Sequence, residues 1–360
     1  METFQCPTRL IAGPGAVSAL RTLHAKKLLL VTDPYFAKNG TADRILAAAG
    51  AAETAVFDGV RPDPSVELAA AGTARLRSFG PDWVVALGGG SAMDCAKAMV
   101  FFAGGDVRLA AVPTTSGSGS EVTDFAILTH KQNKHPLVDP RLRPEIAILD
   151  GDLLTALPPG LIADCGFDVL SHALEACVAT GAGAVTDALA RDAFAAAFSL
   201  LPASFAGDAA VRLRIHLASA MAGMAFTQAG LGICHALSHA LGGAFHVPHG
   251  RLNAILLPAV VETNAAVVGH RYAELARHAG LGATADTVAV HNLKNGLIRL
   301  RRTLALPDTL AQAGVSPRDL HEKAEGIVAA ALADPCCDTN PVAPDAAGLR
   351  RILEAVAGHG

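Results

Sequence analysis

Apolar and polar positions fall into two regimes along the chain. Over the first 150 residues, short apolar runs alternate with helix-like segments. KKLLLVTD (26–33) reads as a buried strand ending in polar residues, and WVVALGGG (83–90), RLAAVPTT (108–115) and EIAILD (145–150) read the same way. Ala42–Ala51 and Ser65–Ser78 supply amphipathic or Ala-rich helices between several of them. Strands alternating with helices predict a parallel sheet covered by helices on both faces. After LPPG (157–160) the texture changes to long Ala/Leu-rich helical stretches such as Asp187–Leu201 and Ala209–Phe226, and β-branched runs become rare. The expected organisation is an α/β domain over residues 1–158 and an all-α domain over residues 159–360.

The length of 360 residues suits two domains of about 150–200 residues each. With 51% apolar and 17% charged residues, the chain can fill two cores, and disorder is excluded. The net charge is −4, and no Lys/Arg-rich run marks a nucleic-acid face, so nucleic acid is excluded as a partner. Gly, Pro, His or charge interrupts the apolar stretches before about 18 residues, so no membrane span is expected. The opening METFQCPTRL lacks a basic segment followed by an apolar one, and the seven cysteines are scattered without a CxxC pair. Both features fit a reducing cytoplasm rather than a disulfide framework.

Two loops carry anion-binding chemistry. LGGGSAMDCAKAM (87–99) follows a predicted strand and opens a predicted helix. Its glycines let backbone N–H groups approach an anion, Ser91 can cap the helix, and the helix N-terminus favours negative charge. The same text also suits a tight strand–helix turn with glycines for geometry alone. PTTSGSGSEVTD (113–124) follows another strand and offers hydroxyls for phosphate or ribose. Two such loops at the carboxyl ends of strands in one sheet point to a nucleotide. Asp33, at the end of the first clear strand, can accept from a ribose hydroxyl or simply cap the helix after it.

Four of the fourteen histidines, His235, His239, His246 and His249, fall within fifteen positions. His235 and His239 are four apart on one helical face. Gly242–Gly243 is expected to end that helix and let the chain return with His249, in a Pro-His-Gly turn. Upstream, Asp168 and His172 are also four apart in GFDVLSHALEA (166–176). One carboxylate with imidazoles suits Fe²⁺ or Zn²⁺ better than Ca²⁺ or Mg²⁺. Spacing alone does not choose among the clustered histidines, and any single one could be a satisfied core residue.

GGGSAMDCAKAM, PTTSGSGSEVT, GFDVLSHALEA and GLGICHALSHALGGAFHVPHGRLNAILLP resemble, in order and spacing, the iron-containing (group III) alcohol dehydrogenases, over nearly the whole chain from about Leu10 to TNP (339–341). KHPLVDPRLRPEIAILD, GFDVLSHALEA and MAGMAFTQAGLG look closest to the 1-propanol dehydrogenases of propanediol-degrading microcompartments. The resemblance implies a Rossmann-like first domain and a helical second domain in the dehydroquinate synthase-like architecture. It implies NAD(H)-linked interconversion of small primary alcohols and aldehydes, and a metal, Fe²⁺ with Zn²⁺ as the alternative, on Asp168, His172, His235 and His249. It places NAD along Gly89, Gly90, Ser91, Asp94, Thr114, Thr115, Ser118 and Lys134, with Asp63 in the same set and Asp33 on the ribose. A homodimer or larger homo-oligomer and microcompartment association come with it. His239, left outside the ligand set, is the candidate proton relay.

The family's cofactor-loop Asn is Asp63 here, its AGTGS is SGSGS, and its Met after Gly166 is Phe167. These departures bear on cofactor and substrate preference. Maleylacetate reductases, which share the GICHALSH-like text, are the nearest rival reading. Zinc glycerol dehydrogenase-like enzymes, a dehydroquinate synthase-type lyase and a non-enzymatic shell-associated protein are more distant ones.

Overall fold

A computed structural model describes residues 3–131 and 133–358. It divides into two compact units, Gln5–Ala156 and the chain from Leu157 onward together with its first residues. The first unit holds β1 (Arg9–Ala12), β2 (Lys27–Val31), β3 (Glu53–Phe57), β4 (Trp83–Gly88), β5 (Arg108–Pro113), β6 (Phe125–His130), β7 (Asn133–Val138) and β8 (Ile146–Leu149). Its helices are α1 (Pro34–Lys38), α2 (Thr41–Ala49), α3 (Val66–Phe79) and α4 (Gly90–Ala103).

Six strands form one parallel sheet in the order β1-β8-β5-β4-β2-β3, and β6 and β7 make a separate antiparallel hairpin. Successive residues of β2 serve opposite faces. Leu28 and Leu30 pack with Ile45 of α2 and with Leu20, while Leu29 and Val31 pack with Leu76 of α3 and Met99 of α4. Burial on both faces is why these strands read as unbroken apolar runs rather than as alternating ones. β1, β3 and the β6–β7 hairpin carry too many polar or exposed positions to announce themselves in the same way. From β2 the chain steps outward to β3, then crosses back to β4, so the strand order reverses between β2 and β4. Open α/β sheets bind ligands at such a reversal, outside the carboxyl ends of the strands.

The second unit is helical: α5 (Pro159–Val178), α6 (Ala184–Phe205), α7 (Arg212–Ala229), α8 (Ile233–Phe245), α9 (His249–His278), α10 (Asp286–Thr303), α11 (Pro317–Leu332) and α12 (Ala346–Ala357). α5 packs against α6, α7 and α9, and α8 against α9 and α11. α9 is long and apolar enough to cross a membrane, but 61% of its apolar window is buried within the fold, as in a core helix. The Gly242–Gly243 pair does not end α8, contrary to expectation. The helix runs on to Phe245, and His246, in the left-handed region at φ 57°, ends it by donating its N–H to the Gly242 carbonyl. All seven cysteines are free thiols.

Candidate metal centre and glycine loop

Three helices bring the expected ligand side chains together. Asp168, His172 and Glu175 occupy one buried face of α5 at spacings of four and three residues. His235 lies in the first turn of α8, and His249 is the first residue of α9. The return that places His249 depends on Gly250. A Cβ built there would lie 1.9 Å from the Asp164 carbonyl oxygen of α5, so only glycine lets α9 start this close to that backbone.

The Nε2 atoms of His172, His235 and His249 lie 3.8, 3.9 and 3.4 Å from Asp168 Oδ1. The two longer separations exceed hydrogen-bond range. Yet bonds of about 2.1 Å in a tetrahedron around a shared ion put neighbouring donors about 3.4 Å apart. One donor atom each from Asp168, His172 and His235 lies within 4.8 Å of the other two, and His249 joins the group through Asp168.

Hydrogen bonding fixes which ring atom of His235 points inward. Its Nδ1 pairs with Glu175 Oε2 at 2.6 Å, while its Nε2 is buried with no hydrogen-bond partner. An imidazole oriented by a carboxylate, with a bare nitrogen facing a second carboxylate, is the arrangement of a metal-bound histidine. Glu175 also accepts from the backbone N–H groups of Gly232 and Cys234, which the first turn of α8 would otherwise leave unsatisfied. Asn253 Nδ2 donates to Asp168 Oδ1 at 3.0 Å and anchors the carboxylate from α9. The His172 ring lies between those of Phe226 and His235, with centroids 4.4 and 4.5 Å away.

Burial alone would raise the Asp168 carboxyl, but His172, His235 and His249 hold it well below the usual carboxylate range. Burial pushes the His235 imidazole down, and Asp168 and Glu175 more than offset that, lifting it to about 9. Burial and the imidazoles of His239, His235 and His172 push His249 well below its ordinary value, against the pull of Asp168.

His239 stands just outside this set. Its ring stacks on that of His249, 5.1 Å between centroids, and its Nδ1 pairs with Asp334 Oδ2 at 2.8 Å. Burial would raise Asp334, but His239 and the Cys336 backbone hold it down at about 2.

In the first unit, the N-cap of α4 is Gly89, not Ser91, and no side chain caps the helix. Ser91 sits inside the first turn, which leaves the leading N–H groups open to an anion. Gly88 has φ 147°, and a Cβ there would lie 3.8 Å from Asp33 Oδ2, so the ends of β2 and β4 meet at the strand-order reversal. Asp33 caps α1 with its other oxygen, accepting from Tyr35 and Phe36 N–H, so capping engages Oδ1 alone. Thr115 and Ser118 approach Gly89 and Gly90, with hydroxyls 3.2 and 3.1 Å from Cβ atoms built there, and Thr114 is buried with its N–H on the Gly88 carbonyl.

Asp94, Asp63 and Lys134, like Asp33, Thr114 and Ser118, have partners within the protein. Asp94 accepts from Ser120 Oγ and from Ile127 N, tying α4 to the second loop and to β6. Asp63, at φ 53°, forms an ion pair with Lys134 at 2.7 Å. Sequence reasoning misses Glu175, Asn253 and Asp334, and also Lys97. The buried Lys97 amine donates to the Thr123 carbonyl and hydroxyl and to the Phe125 carbonyl, bracing the second loop from beneath. Glu175 continues the Asp168–His172 spacing on α5, which is the one local signal that could have found it.

Comparison with known proteins covers nearly the whole chain. Residues 7–151 match the family model for iron-containing alcohol dehydrogenase, and residues 162–357 match that for the C-terminal part of the Fe-containing alcohol dehydrogenase family. The 1-propanol dehydrogenase PduQ of Citrobacter freundii is 39% identical over 367 residues, 98% of this chain and 99% of the relative. A solved 1,3-propanediol oxidoreductase superposes with a TM-score of 0.94 at 32% identity, over 99% of this chain and 100% of that one. Sulfoacetaldehyde reductase from Bifidobacterium kashiwanohense, solved in complex with NAD⁺, superposes with a TM-score of 0.91 at 26% identity over the full length of both chains.

Proposed function

The chain belongs to the iron-containing alcohol dehydrogenase family, and on that footing we propose that it interconverts small primary alcohols and their aldehydes with NAD(H), using an ion held by Asp168, His172, His235 and His249. As a family member it is an oxidoreductase acting on CH–OH groups. The observation that carries the finer reading is the approach of three imidazole Nε2 atoms to Asp168 Oδ1, with the buried Nε2 of His235 lacking a hydrogen-bond partner. The donor set accepts Fe²⁺ or Zn²⁺, and family membership favours iron.

When bound, the ion supplies a Lewis acid for the substrate oxygen and the nicotinamide supplies the partner for hydride transfer. The side chains of this protein do the rest. Glu175 holds His235 in the tautomer that turns a lone pair inward. His239, with Asp334 on Nδ1, keeps Nε2 available to take up the proton the alcohol loses. The uncapped turn of α4 receives pyrophosphate, and Asp33 accepts from a ribose hydroxyl and repels a 2′-phosphate.

The test is metal analysis of the purified protein, followed by NADH-coupled assays with C2–C4 aldehydes after restoring Fe²⁺ or Zn²⁺. Turnover with at least one aldehyde is expected. Activity on maleylacetate alone would assign the rival reading, and no activity with any aldehyde and either metal would overturn the proposal. His239→Ala is expected to lower turnover and change its pH profile, and Asp33→Gly to shift preference toward NADP(H). A homodimer or larger assembly, cytoplasmic residence and microcompartment association belong to the same proposal, to be checked by sedimentation and by co-fractionation with shell proteins.

A further inference from the structure

Among the described residues, a second group of three potential metal ligands lies beside the first: His239, Asp334 and Cys336, with one donor atom from each within 4.8 Å of the other two. Asp334 caps the turn Pro335–Thr339 by accepting from Cys336 N at 2.8 Å, which folds the thiol back toward its own carboxylate. Asp334 Oδ2 pairs with His239 Nδ1 at 2.8 Å. A nitrogen, an oxygen and a sulfur are thus gathered within reach of one ion. All three side chains are half-buried, so the group is open to solvent ions.

We propose that His239 Nδ1, Asp334 and Cys336 Sγ form a second metal site, which takes a borderline divalent ion of the zinc type with solvent completing a tetrahedral shell. The ligand chemistry differs from that of the first centre, which has an Asp and three His and no sulfur. Binding is balanced in protons. The Cys336 S–H proton goes to solvent, the His239 ring proton moves from Nδ1 to Nε2, and Asp334 is already ionised, so one proton leaves per ion. The site itself does not depend on the dehydrogenase reading. One consequence does: with its proton fixed on Nε2, His239 no longer accepts a proton, so an excess of zinc inhibits turnover if the relay role holds.

The test is a titration of metal-free protein with Co²⁺. A thiolate-to-cobalt charge-transfer band in the near ultraviolet reports only ions bound through sulfur, so it reads the second site whatever the enzyme's activity. The band is expected in the unaltered chain and in Cys337→Ser, and also in His235→Ala, which disables the first centre. It is expected to vanish in Cys336→Ser and to require at least tenfold more cobalt in His239→Ala. In the unaltered chain the ion that produces the band releases one proton. No band at several-fold excess of Co²⁺ would overturn the proposal, and so would a band that survives Cys336→Ser.

Discussion

At the scale of single residues, burial decides which polar groups carry the chemistry and which hold its frame. Glu175 is 1% exposed, and its two oxygens receive three N–H donors from α8, so one carboxylate both starts the helix and sets the tautomer of His235. Glu121, 2% exposed in the second loop, has the opposite character. Its Oε1 is buried with no hydrogen-bond partner, and burial lifts its carboxyl to about 7 against weaker help from its own backbone and Lys97. A carboxyl whose folded value is raised gives stability that is fully present below its unfolded value, near 4.5, and lost as pH rises through about 7. The loss amounts to about 3 kcal/mol when complete. Lys97 titrates near 8, above most of this window. Glu121→Gln is therefore expected to flatten the fall in stability between pH 5 and pH 7.5 and to leave the variant the more stable form at pH 7.5. Denaturant unfolding across that range checks it, and an unchanged pH slope would contradict it.

At the scale of elements, the centre is a problem of helix placement. Asp168 and His172 share α5 and need no tertiary help to face the same way. His249 reaches them only because α9 begins against the α5 backbone at Gly250. Gly250→Ala forces a carbon into the Asp164 carbonyl, and the start of α9 must move. Overpacking of this kind costs about 1–3 kcal/mol. The variant is expected to melt lower and to retain less metal after dialysis, read by calorimetry and elemental analysis. A lower melting temperature with full metal content would show that His249 is not fixed by this contact. The same scale explains why Gly242–Gly243 misleads. Glycine weakens a helix by roughly 1 kcal/mol relative to alanine, but α8 packs against α9 and α11, and packing outweighs that deficit. The helix stops where His246 adopts a left-handed conformation, which nothing in its residue type announces.

For the whole molecule, an ion that binds only the folded helical unit stabilises it by mass action, about 2.7 kcal/mol at a free concentration one hundred times its dissociation constant. For a unit of about 200 residues that corresponds to a rise of roughly 5–10 °C in melting temperature. Adding Fe²⁺ or Zn²⁺ to metal-free protein is expected to give such a rise, and His235→Ala to abolish it in a chain that also carries Cys336→Ser. Glu175→Gln places an amide N–H₂ against backbone donors and is expected to weaken metal binding about tenfold to a hundredfold, as lost partners of metal ligands do. A melting temperature in His235→Ala that responds to metal as the unaltered chain does would remove His235 from the ligand set.

The sequence by itself determined the parallel-strand pattern, the helical second half, the two loops after β4 and β5, and the two spacings of four that align Asp168 with His172 and His235 with His239. These are local properties: periodicity, turn chemistry and helix-face geometry act over a few residues and are written in order along the chain. Choosing His235 and His249 over His239 and His246 took the family resemblance at the sequence level. The tertiary structure gave that choice a geometric basis, by showing which ring nitrogens face Asp168. It alone revealed the partners of the histidines, because Glu175 meets His235 across 60 residues and Asp334 meets His239 across 95. No local rule pairs a carboxylate with an imidazole at such separations. Those pairs exist only once α5, α8, α9 and the turn after α11 have packed, and with them comes the division of one histidine cluster into rings that face Asp168 and a neighbour held on its own aspartate.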